Sequence, residues 1–185
     1  AAARVECLWH GLHLTTTHFG DGKAPNRKKA VTMRRNDRAT TDRVRIERII
    51  HASTWCTLSM CDAGQPYAVP VNFGYDSGAF YFHCAEQGRK VEVLRACPAV
   101  WLTIVGEQRL VPADSPCRFS LQYECIMASG IIEFIDEPGQ RSRGLGILMA
   151  QQTGHACEFD ERSVASVTVL RLVPDLLTAK TSGRD

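Results

Sequence analysis

Regular patterning in the chain begins near residue 41. Thr41 stands where a helix cap is favoured, Asp42 follows in the first turn, and Ile46, Ile49 and Ile50 recur at the i, i+3, i+4 spacing of one helical face. The period then falls to two. In TWCTLSMC, Cys56, Leu58 and Met60 alternate with Thr57 and Ser59, and Asp62-Ala63-Gly64 turns the chain into QPYAVPVNFGY, where Tyr67, Val69, Val71, Phe73 and Tyr75 share a face. Asp76-Ser77-Gly78 turns it again into AFYFHCA, so the three segments read as a meander with short hairpin turns. RKVEVLRAC returns to helical spacing through Val91 and Leu94 and stops at Pro98. AVWLTIV reads as a fourth strand, GEQRLVPADSPCR as a loop, and FSLQYECIM as a strand in which Phe119, Leu121, Tyr123, Cys125 and Met127 alternate, with SGIIEFI continuing or pairing with it. Leu145, Leu148 and Met149 mark a helix ending near Gly154, and SVTVLRLV is a last strand. The pattern predicts a mainly β fold with α: a six-stranded, mostly antiparallel barrel carrying two or three helices.

Residues 1–32 do not share this patterning. TTTHFGDGKAPNRKKAVT is polar and punctuated by Gly and Pro, which predicts a poorly ordered arm, and Met33 opens the stretch that leads into the fold. The expected organisation is a basic, dispensable arm over residues 1–32 and one domain over residues 33–185. Charge follows the same division, because residues 1–48 hold 11 of the 22 lysines and arginines against five acids. Such an arm can meet nucleic acid or a membrane surface, yet its only aromatics are Trp9 and Phe19, so no nucleic-acid partner is expected. With 44% hydrophobic and 23% charged residues in 185, the chain is not disordered as a whole. It has no apolar run long enough to span a membrane, and its start lacks the basic and apolar regions of a secretory signal. A cytoplasmic enzyme or small-ligand binder is the class expected.

Several chemistries are excluded. Gly144-Leu145-Gly146 is only a fragment of a dinucleotide-binding loop, Gly20-Asp21-Gly22-Lys23 lacks the first glycine of a phosphate-binding P-loop, and neither G-x-S-x-G nor H-E-x-x-H occurs. Cys7, His10, His13 and His18 are metal-ligand types, but their spacing matches no common finger, and no metal site is expected. None of the eight cysteines forms a C-x-x-C pair, and Cys56, Cys61, Cys97 and Cys125 fall in apolar-patterned segments, as small hydrophobes do.

Tyr67 to Lys90 is the informative stretch. Pro70 inside a strand implies a sheet edge or a backbone turned toward a ligand. FHCAEQGRK then gives a strand end, a glycine and two cations at the start of a helix. Free N–H groups at a helix N-terminus beside Arg89 and Lys90 suit a phosphate; two solvated cations are the alternative, though cations there oppose the helix dipole.

From MRRNDR through YAVPVNFGY, FHCAEQGRK and LQYECIMASGIIEFIDEP to TAKTS, about residues 33–182, the sequence resembles the Nim-type 5-nitroimidazole resistance proteins, which are pyridoxamine 5'-phosphate oxidase-like, FMN-binding split barrels. The resemblance implies FMN as cofactor and a homodimer with flavins at the interface. By position, Val69, Pro70, Val71 and Asn72 would run along the isoalloxazine, His83, Cys84 and Ala85 would line the ribityl and phosphate path, and Gly88, Arg89 and Lys90 would hold the phosphate. Members often carry Ser where Cys84 stands, and Gln122 precedes Tyr123-Glu124 in place of the family's Arg. His83 is the candidate catalytic residue, as a proton donor to a reduced nitro group; a cofactor-packing histidine is its other reading. The function implied is an FMN-dependent reductase of nitroaromatics such as 5-nitroimidazoles, with NAD(P)H as donor. The alternative is a non-enzymatic flavin or haem binder on the same scaffold, with His83, His51 or His155 as an axial ligand.

Overall fold

The computed structural model describes residues 38–183. The expected arm over residues 1–32, with Cys7, His10, His13 and His18, lies outside them. Among the described residues the chain runs β1 (Ala39–Thr40), α1 (Arg43–His51), β2 (Trp55–Asp62), β3 (Gln65–Asn72), β4 (Gly74–Asp76), β5 (Ala79–Cys84), α2 (Arg89–Ala96), β6 (Ala99–Val111), β7 (Ser120–Ile135), α3 (Pro138–Thr153), α4 (Glu161–Ala165) and β8 (Thr168–Ser182). All strand pairings are antiparallel, in the order β3-β2-β6-β7-β8-β5-β4, with β1 on β8. None of the described helices is long and apolar enough to cross a membrane.

Among the described residues, eight strands and four α-helices replace the six strands and two or three helices expected. Part of the difference lies in QPYAVPVNFGY, which is two strands. β3 pairs with β2, β4 pairs with β5, and these strands stand at opposite ends of the pairing order. Only Phe73 separates β3 from β4, so one stretch of chain joins the two ends of the sheet and the barrel is split there. The expected meander is therefore two separate hairpins. Each turns on two residues with positive φ, Ala63-Gly64 and Ser77-Gly78, the geometry that matches the twist of the flanking strands.

Helix α3 makes the crossing possible. Gln152 Nε2 donates to the carbonyls of Thr54 (2.8 Å) and Phe73 (2.9 Å), and Gln151 Nε2 donates to those of Ile50 (3.1 Å) and Ser53 (2.8 Å). Backbone carbonyls at the end of α1 and just outside the β2–β3 ladder thus find side-chain partners. Gly74 lets the two elements touch, since a Cβ there would lie 2.5 Å from the backbone of Leu148. Glu137 caps α3 by accepting from the N–H groups of Gly139 and Gln140, and Gly154, at φ 76°, ends it where the spacing placed the stop.

Elsewhere the boundaries move. Asp42, rather than Thr41, caps α1 by accepting from Val44 N–H at 3.0 Å, and Ile46, Ile49 and Ile50 are buried as their spacing requires. The segment expected as a loop after Val105 remains strand to Val111, beyond a register shift between Val105 and Gln108. FSLQYECIM and SGIIEFI form one strand, β7. Its core face carries Glu124, Ile126, Ala128 and Ile132, while Leu121, Tyr123, Cys125 and Met127 of the alternating set lie on the other side, exposed or half-buried, and Phe119 stands exposed just before the strand. Helix α4 is too short for a periodic signal; Val164 joins Leu145 and Val169 in a small second core.

Candidate functional site

Gly88 precedes α2 with φ 123° and ψ 165°, a backbone that a side chain would strain, and nothing stands within 4 Å of where its Cβ would be. No side chain caps the helix. Its first internal bond runs from Glu92 N–H to the Gly88 carbonyl (3.1 Å), so the N–H groups of the first turn have no acceptor within the helix. Val91, Val93 and Leu94 anchor α2 in the core and fix this end in place.

Arg89 is held from two sides. Its Nε donates to Asp62 Oδ2 at 2.9 Å, at the end of β2, and its guanidinium lies 4.4 Å from the ring centroid of Tyr67 on β3. Its Nη groups bond no described residue. Lys90 is half-buried and near enough to His83 and Cys84 to bias both. Loss of water around the protein-facing part of the His83 ring, and then the Lys90 ammonium, lower its pKa from the usual 6.5, although the residue as a whole is exposed. The imidazole is therefore mainly neutral at pH 7. Cys84 faces the core, and burial raises its thiol pKa against the opposing pull of Lys90.

The structure thus brings His83, Cys84 and Lys90 together, and sets Arg89 against the β2–β3 hairpin. Strand alternation divides other expected groups. Val69 and Val71 pack inward against the core, whereas Pro70 and Asn72 are exposed. β3 lies at the end of the pairing order, as a proline-bearing strand should. Asn72 is not free at that edge: its Nδ2 lies 3.0 Å from Gln152 Oε1 and 3.3 Å from the Thr54 carbonyl. Ala85 and Gly88 are exposed in the link from β5 to α2. From Tyr67 to Asn72 β3 advances roughly 17 Å, so a ligand touching both Arg89 and Asn72 must be elongated.

Asp62 and Tyr67 are the site residues that sequence reasoning missed. One reads as turn chemistry and the other as core, and nothing local ties either to Arg89. Glu124 is also engaged within the chain, buried with its carboxylate 2.5 Å from Arg48 and 3.7 Å from Arg45 of α1. Two clefts lie elsewhere: one of about 280 Å³ beside Tyr81, Arg143 and Arg171, and one of about 370 Å³ beside Glu47, Tyr75 and Asp175. Neither is lined by the residues discussed above from Val69 to Asn72 or from His83 to Lys90. Among the described residues no three His, Cys, Asp or Glu side chains gather as a metal site.

The sequence profile of the pyridoxamine 5'-phosphate oxidase family matches residues 42–181. The chain belongs to that family. No curated protein matches it. Among solved structures, a candidate 5-nitroimidazole antibiotic resistance protein from Bacteroides thetaiotaomicron is 31% identical, with a TM-score of 0.71, covering 77% of this chain and 86% of that one. The FAD and heme binding protein of Mycobacterium smegmatis is 20% identical, with a TM-score of 0.70 over 80% of this chain and 74% of that one. The flavocytochrome Anf3 of Azotobacter vinelandii is 18% identical, with a TM-score of 0.72 over 83% and 73%. At those lower identities the likeness is one of fold. In this pyridoxamine 5'-phosphate oxidase relative the split barrel brings a proline-bearing sheet edge and an uncapped, cation-flanked helix start onto one molecule.

Proposed function

We propose that the chain is an FMN-dependent reductase of flat, electron-poor compounds of the 5-nitroimidazole kind, drawing on NAD(P)H and working as a homodimer. The observation that carries the reading is the start of α2, where an uncapped turn with open space at Gly88 meets the free Nη groups of Arg89. That donor set fits a phosphate monoester, and the elongated span to Asn72 fits the remainder of a flavin nucleotide. Membership of the family and the 31% identity to a candidate nitroimidazole resistance protein support the choice of cofactor and substrate class.

When bound, a flavin supplies hydride transfer between a nicotinamide and an acceptor. The chain's own part is to hold and to shield. Arg89, Lys90 and the first-turn N–H groups bind the phosphate, and the exposed edge of β3 borders the ring system. Neutral His83 keeps one ring N–H available as a hydrogen-bond donor beside them. Homodimer formation is supported by an exposed apolar sheet face formed by Val105, Leu110, Leu121, Ile131, Val173 and Leu176.

Purified protein mixed with FMN should show a two-banded flavin spectrum that survives desalting. After anaerobic reduction, a nitroimidazole should reoxidise the flavoprotein faster than it reoxidises free reduced FMN, followed by stopped flow. Equal rates overturn the reductase reading and leave a flavin-binding protein. A Soret band without flavin instead supports haem binding, for which neutral His83 is in the protonation state an iron ligand needs.

A further inference from the structure

We infer that Asp62 and Tyr67 are positioning residues that hold Arg89 ready for the phosphate of a flavin mononucleotide and so make the site select phosphorylated over unphosphorylated flavin. The inference rests on the flavin reading above and concerns how this chain prepares that site.

An unrestrained arginine is a poor anchor, because its long side chain must give up several rotamers when it binds. Arg89 is also 62% exposed at the side chain, so little packing confines it. It stands at the first position of α2, where the helix dipole repels a cation. Asp62 answers both problems. Its carboxylate takes Nε alone, which fixes one edge of the guanidinium and offsets the unfavourable dipole without using the Nη groups. Tyr67 confines it from a second side, with the guanidinium carbon over its ring, 4.4 Å from the centroid. The Nε bond and the ring contact together restrict the direction of the remaining fork, the part that binds phosphate bidentately.

The partners owe their position to the β2–β3 hairpin. Asp62 pairs with Gln65 across the two-residue turn, and Tyr67 pairs with Met60, so the carboxylate and the ring come from adjoining strands beside the start of α2. A carboxylate so close to a phosphate site carries an electrostatic penalty, and this makes the sign of its removal informative. If Asp62 acted only through charge, its loss would tighten anion binding. If it acts by positioning, its loss weakens binding despite the gain in positive charge.

The test uses the full chain and titrates FMN and riboflavin against Asp62→Ala, Asp62→Asn, Tyr67→Leu and Tyr67→Phe, with far-ultraviolet circular dichroism confirming the fold. Ordering one mobile side chain on binding corresponds to roughly a two- to tenfold loss of affinity. Asp62→Ala and Tyr67→Leu should therefore weaken FMN by about fivefold and leave riboflavin unchanged. Asp62→Asn, which keeps an acceptor for Nε, and Tyr67→Phe, which keeps the ring, should hold FMN affinity within about twofold of the parent. Tighter FMN binding by Asp62→Ala, or equal losses for FMN and riboflavin, would overturn the positioning role. Failure of the parent chain to bind FMN would instead overturn the flavin reading on which it rests.

Discussion

At Arg89 and Lys90 the relevant free energies are those of charge-assisted contacts to phosphate, about 1.5–3 kcal/mol each. Replacing both residues by alanine should weaken FMN by tenfold or much more while leaving the fold intact, because Arg89 is exposed and Lys90 half-buried. A flavin titration of the folded double variant with unchanged affinity would remove the phosphate assignment. His83 gives a second measurement. Its pKa lies below 6.5 through loss of water and the Lys90 charge, so an imidazole NMR titration of the free protein should show a midpoint under that value. A phosphate dianion beside Lys90 opposes that charge, so FMN should move the midpoint upward. In the free protein the depressed pKa makes the contribution of His83 to stability complete above about pH 6.5 and lost as pH falls through the lower, folded-state midpoint. At this scale the glycine and two cations opening a helix were legible from sequence alone. Asp62 and Tyr67 were not, being 27 and 22 positions from Arg89 and joined to it only by hairpin register.

At the scale of elements, the sequence disclosed where alternation exists better than which way it faces. Both phases of β7 are apolar, so the period of two could not say whether Leu121, Cys125 and Met127 or Ile126, Ala128 and Ile132 enter the core; tertiary packing decides for the second set. The crossing from β3 to β4 left no break in the pattern either, since Val71, Phe73 and Tyr75 stay on one face while their ladder partners change. What marks the crossing is Gly74, where the backbones of β4 and α3 touch. Gly74→Ala should cost about 3 kcal/mol, the upper part of the range for overpacking, because the clash is with backbone rather than with a movable side chain. Chemical denaturation should show it as a lower midpoint at unchanged slope, and an unchanged midpoint would mean that α3 is not packed tightly on the crossing at this point.

Across the whole molecule, the fold class followed from strand spacing and family resemblance, while the strand count required tertiary pairing that no local pattern carries. The exposed apolar face is a property of that pairing. Leu110 lies opposite Leu121, Val105 opposite Cys125, Ile131 opposite Val173 and Ser129 opposite Leu176, so three strands contribute to one side of the sheet. Leu110 is 60% exposed and Leu121 44% exposed, and burying a leucine fully is worth about 1.5–3 kcal/mol. A second copy covering this face would use each such residue twice, as two-fold symmetry requires. Light scattering at micromolar concentration should therefore report a dimer. Replacing Leu110 and Leu121 together by glutamate places like charges on the same face of both partners and should shift the protein to monomer, with little change in the melting of the monomer itself, since neither side chain enters the core. If flavin is held between the two copies, the monomeric variant should also lose FMN although every residue from His83 to Lys90 is unaltered. A parent chain that is monomeric while loaded with cofactor would overturn the shared-site arrangement, and a glutamate variant that remains dimeric would place the contact on another face.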